Sequence, residues 1–209
     1  MLKALQKRKL ITLKGSAELV TEFFDYSINS ILFQRGLYPP EDFKSEKKYG
    51  LNMQMISDDK VKVYLSRILS QVHNWVASGK ISKLIMAVTS CDTRDVIERW
   101  QFNIKLDEQT VQTTDHKNKD VETIQQEIGA IMRQIVASVT FLPMITAPCT
   151  FNVLAYTSLD ADVPDSWIDS DAKLVDPDLA QQVQLRGFTT GIHQVGTTVS
   201  YKLGDFTKK

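Results

Sequence analysis

Residues 81–104 read ISKLIMAVTSCDTRDVIERWQFNI, and they decide the fold. Residues 81–89 form a near-continuous apolar run, the pattern of a central strand covered on at least one face. Asp92-Thr93-Arg94-Asp95 is turn chemistry. Residues 97–104 then alternate, with Trp100, Phe102 and Ile104 on one side and Arg99, Gln101 and Asn103 on the other. Two strands joined by a short turn are antiparallel. The polar side of the second predicts a sheet with one face in water.

Helices flank this pair. Upstream, Gly15-Ser16 opens a helix with Ser16 as the expected N-cap. Val20, Phe23, Phe24, Ser27 and Ile31 share a face, and Leu19, Ile28 and Phe33 widen it. A helix apolar on most sides is central and covered by several elements. It ends near Arg35-Gly36, before Pro39-Pro40. Residues 47–55 read as a hairpin turning at Tyr49-Gly50. A second helix follows the Ser57-Asp58-Asp59 cap, with Val61, Leu65, Ile68 and Val72 as its stripe and Gly79 as its stop. Downstream, residues 105–120 are polar and read as a loop. A third helix carries Ile124, Ile128, Ile131, Ile135, Val139 and Leu142 until Pro143 ends it. Short strands are expected at residues 10–13, 150–157, 183–188 and 195–203. In the last of these, Val195, Thr197, Val199, Tyr201 and Leu203 share a face. Three helices interleaved with antiparallel strands make the class α+β.

With 209 residues and 43% hydrophobic content, the chain suits one domain able to bury a full core. The formal net charge is +0, which is not the footprint of a nucleic-acid binder. No apolar run reaches membrane-spanning length, and the N-terminus has no apolar signal core. Charge is uneven, however. Residues 1–14 carry Lys3, Lys7, Arg8, Lys9 and Lys14 with no acid. Residues 158–178 carry seven aspartates against Lys173 alone. The bland reading is two solvated segments; the sharper one places the acidic stretch beside a basic ligand or another part of the fold.

Catalytic signatures are absent. His73, His116 and His193 have no metal-site spacing, and no nucleophile elbow, Walker A or dinucleotide motif occurs. Cys91 and Cys149 read as buried structural thiols in a reducing compartment. A dyad of either with His193 stays open. No metal or other cofactor is expected. Arg133 is more informative. It points away from the third helix's apolar stripe, flanked by Glu122, Gln126, Gly129 and Ala137, which suits a flat docking face. Trp167 stands in the acidic stretch with no other apolar purpose, and reads as an anchor for it.

Several ordered runs now point to a family. Ile11-Thr12-Leu13-Lys14-Gly15-Ser16-Ala17, Glu22-Phe23-Phe24, Asn29-Ser30-Ile31-Leu32-Phe33-Gln34-Arg35-Gly36, Tyr38-Pro39 and Lys48-Tyr49-Gly50-Leu51 resemble the mitotic-arrest-deficient spindle checkpoint family of HORMA-domain proteins. Glu98-Arg99-Trp100-Gln101-Phe102, Arg133-Gln134-Ile135, Val139-Thr140-Phe141-Leu142-Pro143, Val163-Pro164 with Trp167, and Phe188-Thr189-Thr190 with Ile192-His193 continue the resemblance to about residue 203.

The resemblance implies a non-enzymatic adaptor in the nucleus, at kinetochores and in the cytoplasm. It implies three helices on one side of a mainly antiparallel sheet, in a single domain over 1–209. Residues of about 10–157 would be the core, and about 158–209 a mobile safety belt. In the family's open state the belt covers one sheet edge. In the closed state it crosses to the other side and traps a partner peptide. That peptide would pair with the strand made by Thr150, Phe151, Asn152, Val153, Leu154, Ala155, Tyr156 and Thr157. Trp167, Phe188, His193, Val195, Val199 and Tyr201 would belong to the belt. Arg133, Gln134 and Phe141 would carry docking of an open copy on a closed one. Leu13, on the first strand, would set the open–closed balance. The implied partners are a coiled-coil checkpoint receptor at kinetochores, the WD-repeat activator of the anaphase-promoting complex, a second copy of the chain, and a AAA+ remodelling ATPase with its adaptor. A translesion-polymerase accessory subunit or a meiotic axis protein would share the belt mechanism. Gly187 and Gly191 depart from the family's usual Ser or Thr, which would loosen the belt strand.

Overall fold

The computed structural model describes residues 11–107 and 119–203. Three helices, α1 (Leu13–Gln34), α2 (Asp59–Ala77) and α3 (Val121–Ala137), pack with a hairpin, β1 (Phe43–Lys48) and β2 (Leu51–Ile56), and a larger sheet. That sheet holds β3 (Ile81–Ser90), β4 (Val96–Leu106), β5 (Cys149–Thr157), β6 (Ala180–Gln184), β7 (Phe188–Thr189) and β8 (His193–Lys202). Its order is β5-β3-β4-β8-β6, with β7 also on β8, and all the pairings are antiparallel.

Helix α1 is central, as its apolar breadth predicts. Val20, Phe23, Phe24, Ile28, Ile31 and Leu32 are fully buried. Phe23 meets Phe102 edge-on at 5.7 Å and Phe188 at 5.0 Å, so one residue ties helix, central sheet and C-terminal segment together. A buried phenylalanine contributes about 1.5–3 kcal/mol by leaving water. Gly36 and Gly79 stop α1 and α2 in the same way. Each has positive φ, with its N–H on Phe33 O or Val76 O and the next N–H on Leu32 O or Trp75 O. That doubly bonded stop needs a left-handed residue, which glycine supplies without strain. The hairpin turns at Tyr49 (φ 52) and Gly50 (φ 70), the mirror-image geometry that matches strand twist.

Some boundaries differ from expectation. The cap of α1 is Thr12, whose hydroxyl accepts from Gly15 N, and Leu13 is the helix's first residue. The expected strand at 10–13 is therefore replaced by helix from Leu13, and Leu10 lies outside the described residues. Ser16 is buried inside the helix. Helix α3 ends at Ala137 and tightens into a 3-10 turn, Ser138–Thr140. That change of pitch turns Val139 out to 41% exposure, while Leu142 still reaches the core. The expected strand at 183–188 is split in two around residues 185–187. Most of the polar loop, with His116, lies outside the described residues.

The expected wet face is largely covered. Ile85 and Ala87 are fully buried although they alternate with the core residues Leu84, Met86 and Val88. Arg99, on the same outer face, is 7% exposed and donates from Nε to Ala172 O at 3.2 Å. The acidic segment crosses this face. Its sequence shows no period because it packs as irregular chain on a finished sheet.

Candidate functional site

The C-terminal segment can be followed from contact to contact. It leaves β5 with Ser158 N–H on Lys80 O, and Lys80 Nζ lies 2.5 Å from Asp160. Trp75 Nε1 donates to Asp162 O at 2.8 Å, and Trp167 stands edge-on to Trp75 at 4.8 Å. After the Arg99–Ala172 bond the chain reaches β6, and Leu203 N–H bonds Leu179 O. Strand β8 lies along β4, with Trp100 opposite Val199 and Glu98 opposite Tyr201. Val195 and Val199 are fully buried and Tyr201 nearly so, while Leu203 is 42% exposed.

The opposite side of the sheet is β5. Among the described residues it pairs with β3 alone, from Ile81↔Thr157 to Ser90↔Cys149. An edge strand nine residues long offers a row of backbone donors and acceptors to another chain. Phe151 faces inward and is buried against Tyr38 and Tyr64, whose rings lie 6.3 and 5.7 Å away. Burial raises the pKa of both tyrosines, so they stand as neutral phenols beside the edge. Val153, Leu154 and Ala155 are half-buried; Thr150, Asn152 and Tyr156 are exposed.

His193 anchors the start of β8. It is 1% exposed. Nε2 lies 3.1 Å from Val76 O and Nδ1 2.6 Å from Ser16 Oγ, which is itself 2.6 Å from Thr190 Oγ1. Burial lowers the imidazole pKa. A neutral ring donating from Nε2 accepts the Ser16 hydroxyl proton at Nδ1. The sequence offers Ser16 only as a helix cap, and no charge or spacing marks it or Thr190 as a partner of His193.

The docking candidates lie on α3 and in the segment just after it. Arg133 is exposed. Gln134 Oε1 accepts from Arg186 N–H at 2.7 Å, so this side chain is engaged within the chain. Phe141 is 41% exposed, with its ring 6.4 Å from Tyr201. Gln134 and Phe141 thus each contact the C-terminal segment. Gly129 does not belong to the docking face: it is buried with the Tyr49 carbonyl against its Cα, where a Cβ would approach that oxygen to 2.9 Å. Leu13 is half-buried at the start of α1.

A Cys–His dyad has no geometric basis. Cys149 lies at the end of the sheet where Val96 begins β4, and His193 opposite Leu106 at the other end. Ten residues of strand separate them, about 33 Å. Cys91 is exposed rather than buried, and Cys149 half-buried with its thiol pKa raised by burial. Among the described residues, no group of three or more His, Cys, Asp or Glu could hold a metal. No helix there is long and apolar enough to cross a membrane.

A helix-backed antiparallel sheet, with one long edge left to β5 and its own C-terminal strands closing the other, defines the HORMA class of fold. The sequence model described as "HORMA domain" matches residues 16–193, and the chain belongs to that family, in its mitotic spindle checkpoint branch. It is 48% identical over 197 residues to "Mitotic spindle checkpoint component mad2" of Schizosaccharomyces pombe (strain 972 / ATCC 24843), covering 94% of this chain and 96% of that protein. It is 40% identical over 199 residues to "Mitotic spindle assembly checkpoint protein MAD2A" of Homo sapiens, covering 95% and 96%. Among solved structures, a chain of "Crystal Structure of Mitotic Checkpoint Complex" matches with TM-score 0.81 and 46% identity, over 90% of this chain and 99% of that one. A C. elegans HTP-2 structure shares the fold at TM-score 0.76 and 17% identity. The protein is thus a mitotic spindle checkpoint component, and its family consists of non-enzymatic adaptors.

Proposed function

We propose that this chain captures a partner peptide as an added strand on the Cys149–Thr157 edge and holds it beneath the segment that follows. Residues of about 10–157 act as the core, and about 158–209 as the safety belt. The observation that carries the reading is the position of His193–Lys202. It pairs with Val96–Leu106, on the side of the sheet opposite Cys149–Thr157. That position supports reading the arrangement as the closed state that the family resemblance implies.

The physical chemistry fits. Main-chain hydrogen bonds to an edge strand supply affinity with little demand on sequence, and side-chain pockets supply selection. Tyr38, Tyr64 and Phe151 form an apolar shelf for alternate side chains of the guest. The aspartate-rich belt favours a basic one. A guest locked under Trp167 and Asp162 leaves only when those contacts break, so its dissociation is slow.

The partners proposed are the coiled-coil checkpoint receptor at kinetochores and the WD-repeat activator of the anaphase-promoting complex. Sequestering the activator delays anaphase, and the sites of action are the nucleus, kinetochores and cytoplasm. A second, open copy docks on Arg133, Gln134 and Phe141, and a AAA+ ATPase with its adaptor reopens the fold. Leu13, at the start of α1, weights the open–closed balance.

Dissociation of a labelled receptor peptide, followed by fluorescence anisotropy, tests the capture step. Trp167→Ala is expected to speed release by about tenfold, the equivalent of about 1.4 kcal/mol for the lost ring contact. Removing the last ten residues is expected to abolish stable capture. Undiminished affinity after that truncation overturns the belt. Recovery of polymerase subunits without the anaphase activator, from mitotically arrested cells, overturns the checkpoint partners.

A further inference from the structure

A second surface lies away from both β5 and α3. Helices α1 and α2 and the β1–β2 hairpin enclose a groove of about 810 Å³. Its α1 wall carries Glu18, Glu22 and Asp25 at helical spacing, and Glu46 faces them from the hairpin. Leu65 and Leu69 of α2 lie at its base, 3% and 8% exposed. Lys48 pairs with Glu22 at 2.7 Å. Among the described residues, Glu18, Asp25 and Glu46 make no ion pair. Burial, with the charges of Glu46 and Glu22 added, raises the pKa of Asp25. Lys62 of α2 also lines the groove, against four carboxylates.

The chain enters the fold beside this groove. Ile11 lines a smaller depression that shares Glu18 with it. The ten residues before Ile11 are MLKALQKRKL, with Lys3, Lys7, Arg8 and Lys9 and no acid, interleaved with Leu2, Leu5 and Leu10. Ten residues reach at most about 33–36 Å, whereas Glu18 to Asn29 spans about 16 Å of helix. From the complementary charge, the apolar base and the point of entry, we infer that the groove is the docking site of the chain's own basic segment, residues 1–10. The acidic stretch at 158–178 is the rival destination. It suits less well, because Asp160 and Asp171 already have lysine partners and Leu159, Ile168 and Leu174 project into solvent. This inference is independent of peptide capture.

Zero-length carbodiimide coupling of the full chain, read by mass spectrometry on a mixture of light and heavy isotope-labelled protein, tests it. The expected products join Lys3, Lys7 or Lys9 to Glu18, Glu22, Asp25 or Glu46 within one molecule, and their yield falls several-fold in high salt. Glu18→Gln with Asp25→Asn is expected to lower it similarly. Lys3, Lys7 and Lys9 replaced together by Glu should shift the amide resonances of the groove, a readout that needs no coupling. Products joining light to heavy chains, products on the 158–178 aspartates, or an unmoved groove spectrum each overturn the assignment.

Discussion

His193 Nδ1 lies 2.6 Å from Ser16 Oγ, joining the first turns of the first helix to the start of the last strand across 177 residues of sequence. It fixes the start of the strand that pairs with Val96–Leu106. Burial holds the imidazole below its ordinary pKa of 6.5, and the Val76 carbonyl opposes this without overcoming it. The unfolded chain therefore takes up the proton first. Stability is full above about pH 6.5 and declines as pH falls below it, by at most about 1.4 kcal/mol per unit, until the folded ring itself protonates. Denaturant melts at a series of pH values should show this decline, and His193→Gln should remove its share. Ser16→Ala, which leaves Nδ1 unpaired, is expected to cost about 1–3 kcal/mol at neutral pH.

Arg35 and Glu98 form a buried ion pair, at 5% and 3% side-chain exposure. The guanidinium bonds the carboxylate from Nε at 2.8 Å and also bonds Pro143 O, and Trp100 Nε1 donates to the second carboxylate oxygen at 3.2 Å. The cluster ties the end of α1 to β4 and to the segment after α3. Arg35→Ala is expected to cost about 3–5 kcal/mol, because it strands a buried charge. Arg35→Met with Glu98→Leu should recover most of that loss. Equal losses for the single and double variants, measured by denaturant unfolding, would contradict the argument.

Arg133 and Gln134 are neighbours with different roles in stability. Arg133→Ala should leave unfolding unchanged and abolish self-association. Gln134→Ala removes the acceptor for Arg186 N–H and should cost about 1 kcal/mol besides. Sedimentation together with melts separates the two. An unchanged dimer in Arg133→Ala would refute its docking role.

Gly187 packs its Cα against the Val195 carbonyl, and a Cβ there would stand 2.6 Å from that oxygen. Gly191 has φ +87, a conformation that side chains disfavour. Neither glycine loosens this arrangement; each permits it. Gly187→Ala is expected to destabilise it by about 1–3 kcal/mol, through a forced backbone shift. A melt at or above the wild-type temperature would count against the close approach.

Legibility followed the physical signal. Apolar period and turn chemistry marked α1, α2, the hairpin and the 81–104 pair, because burial on one face imprints a pattern on local sequence. Leu13 departs from the expected strand, since β-type residues at 10–13 suit a strand but Thr12 caps a helix there. Arg99 departs from the expected wet face for a similar reason. Alternation shows that a residue leaves the core, not what later covers it. Trp167 could be noticed as out of place, but its partner Trp75, 92 residues earlier, looked like ordinary core.

By itself, the sequence determined the class, the three helices, the alternating C-terminal strand and an arginine turned outward on α3. All are set by residues within a few turns or a few strand positions of one another. Only the tertiary structure decided that His193–Lys202 lies on Val96–Leu106 and leaves Cys149–Thr157 as the edge. An alternating strand carries its apolar face to whichever side it pairs on. The choice rests on contacts between distant residues, such as His193 with Ser16 and Phe188 with Phe23, that no local pattern encodes.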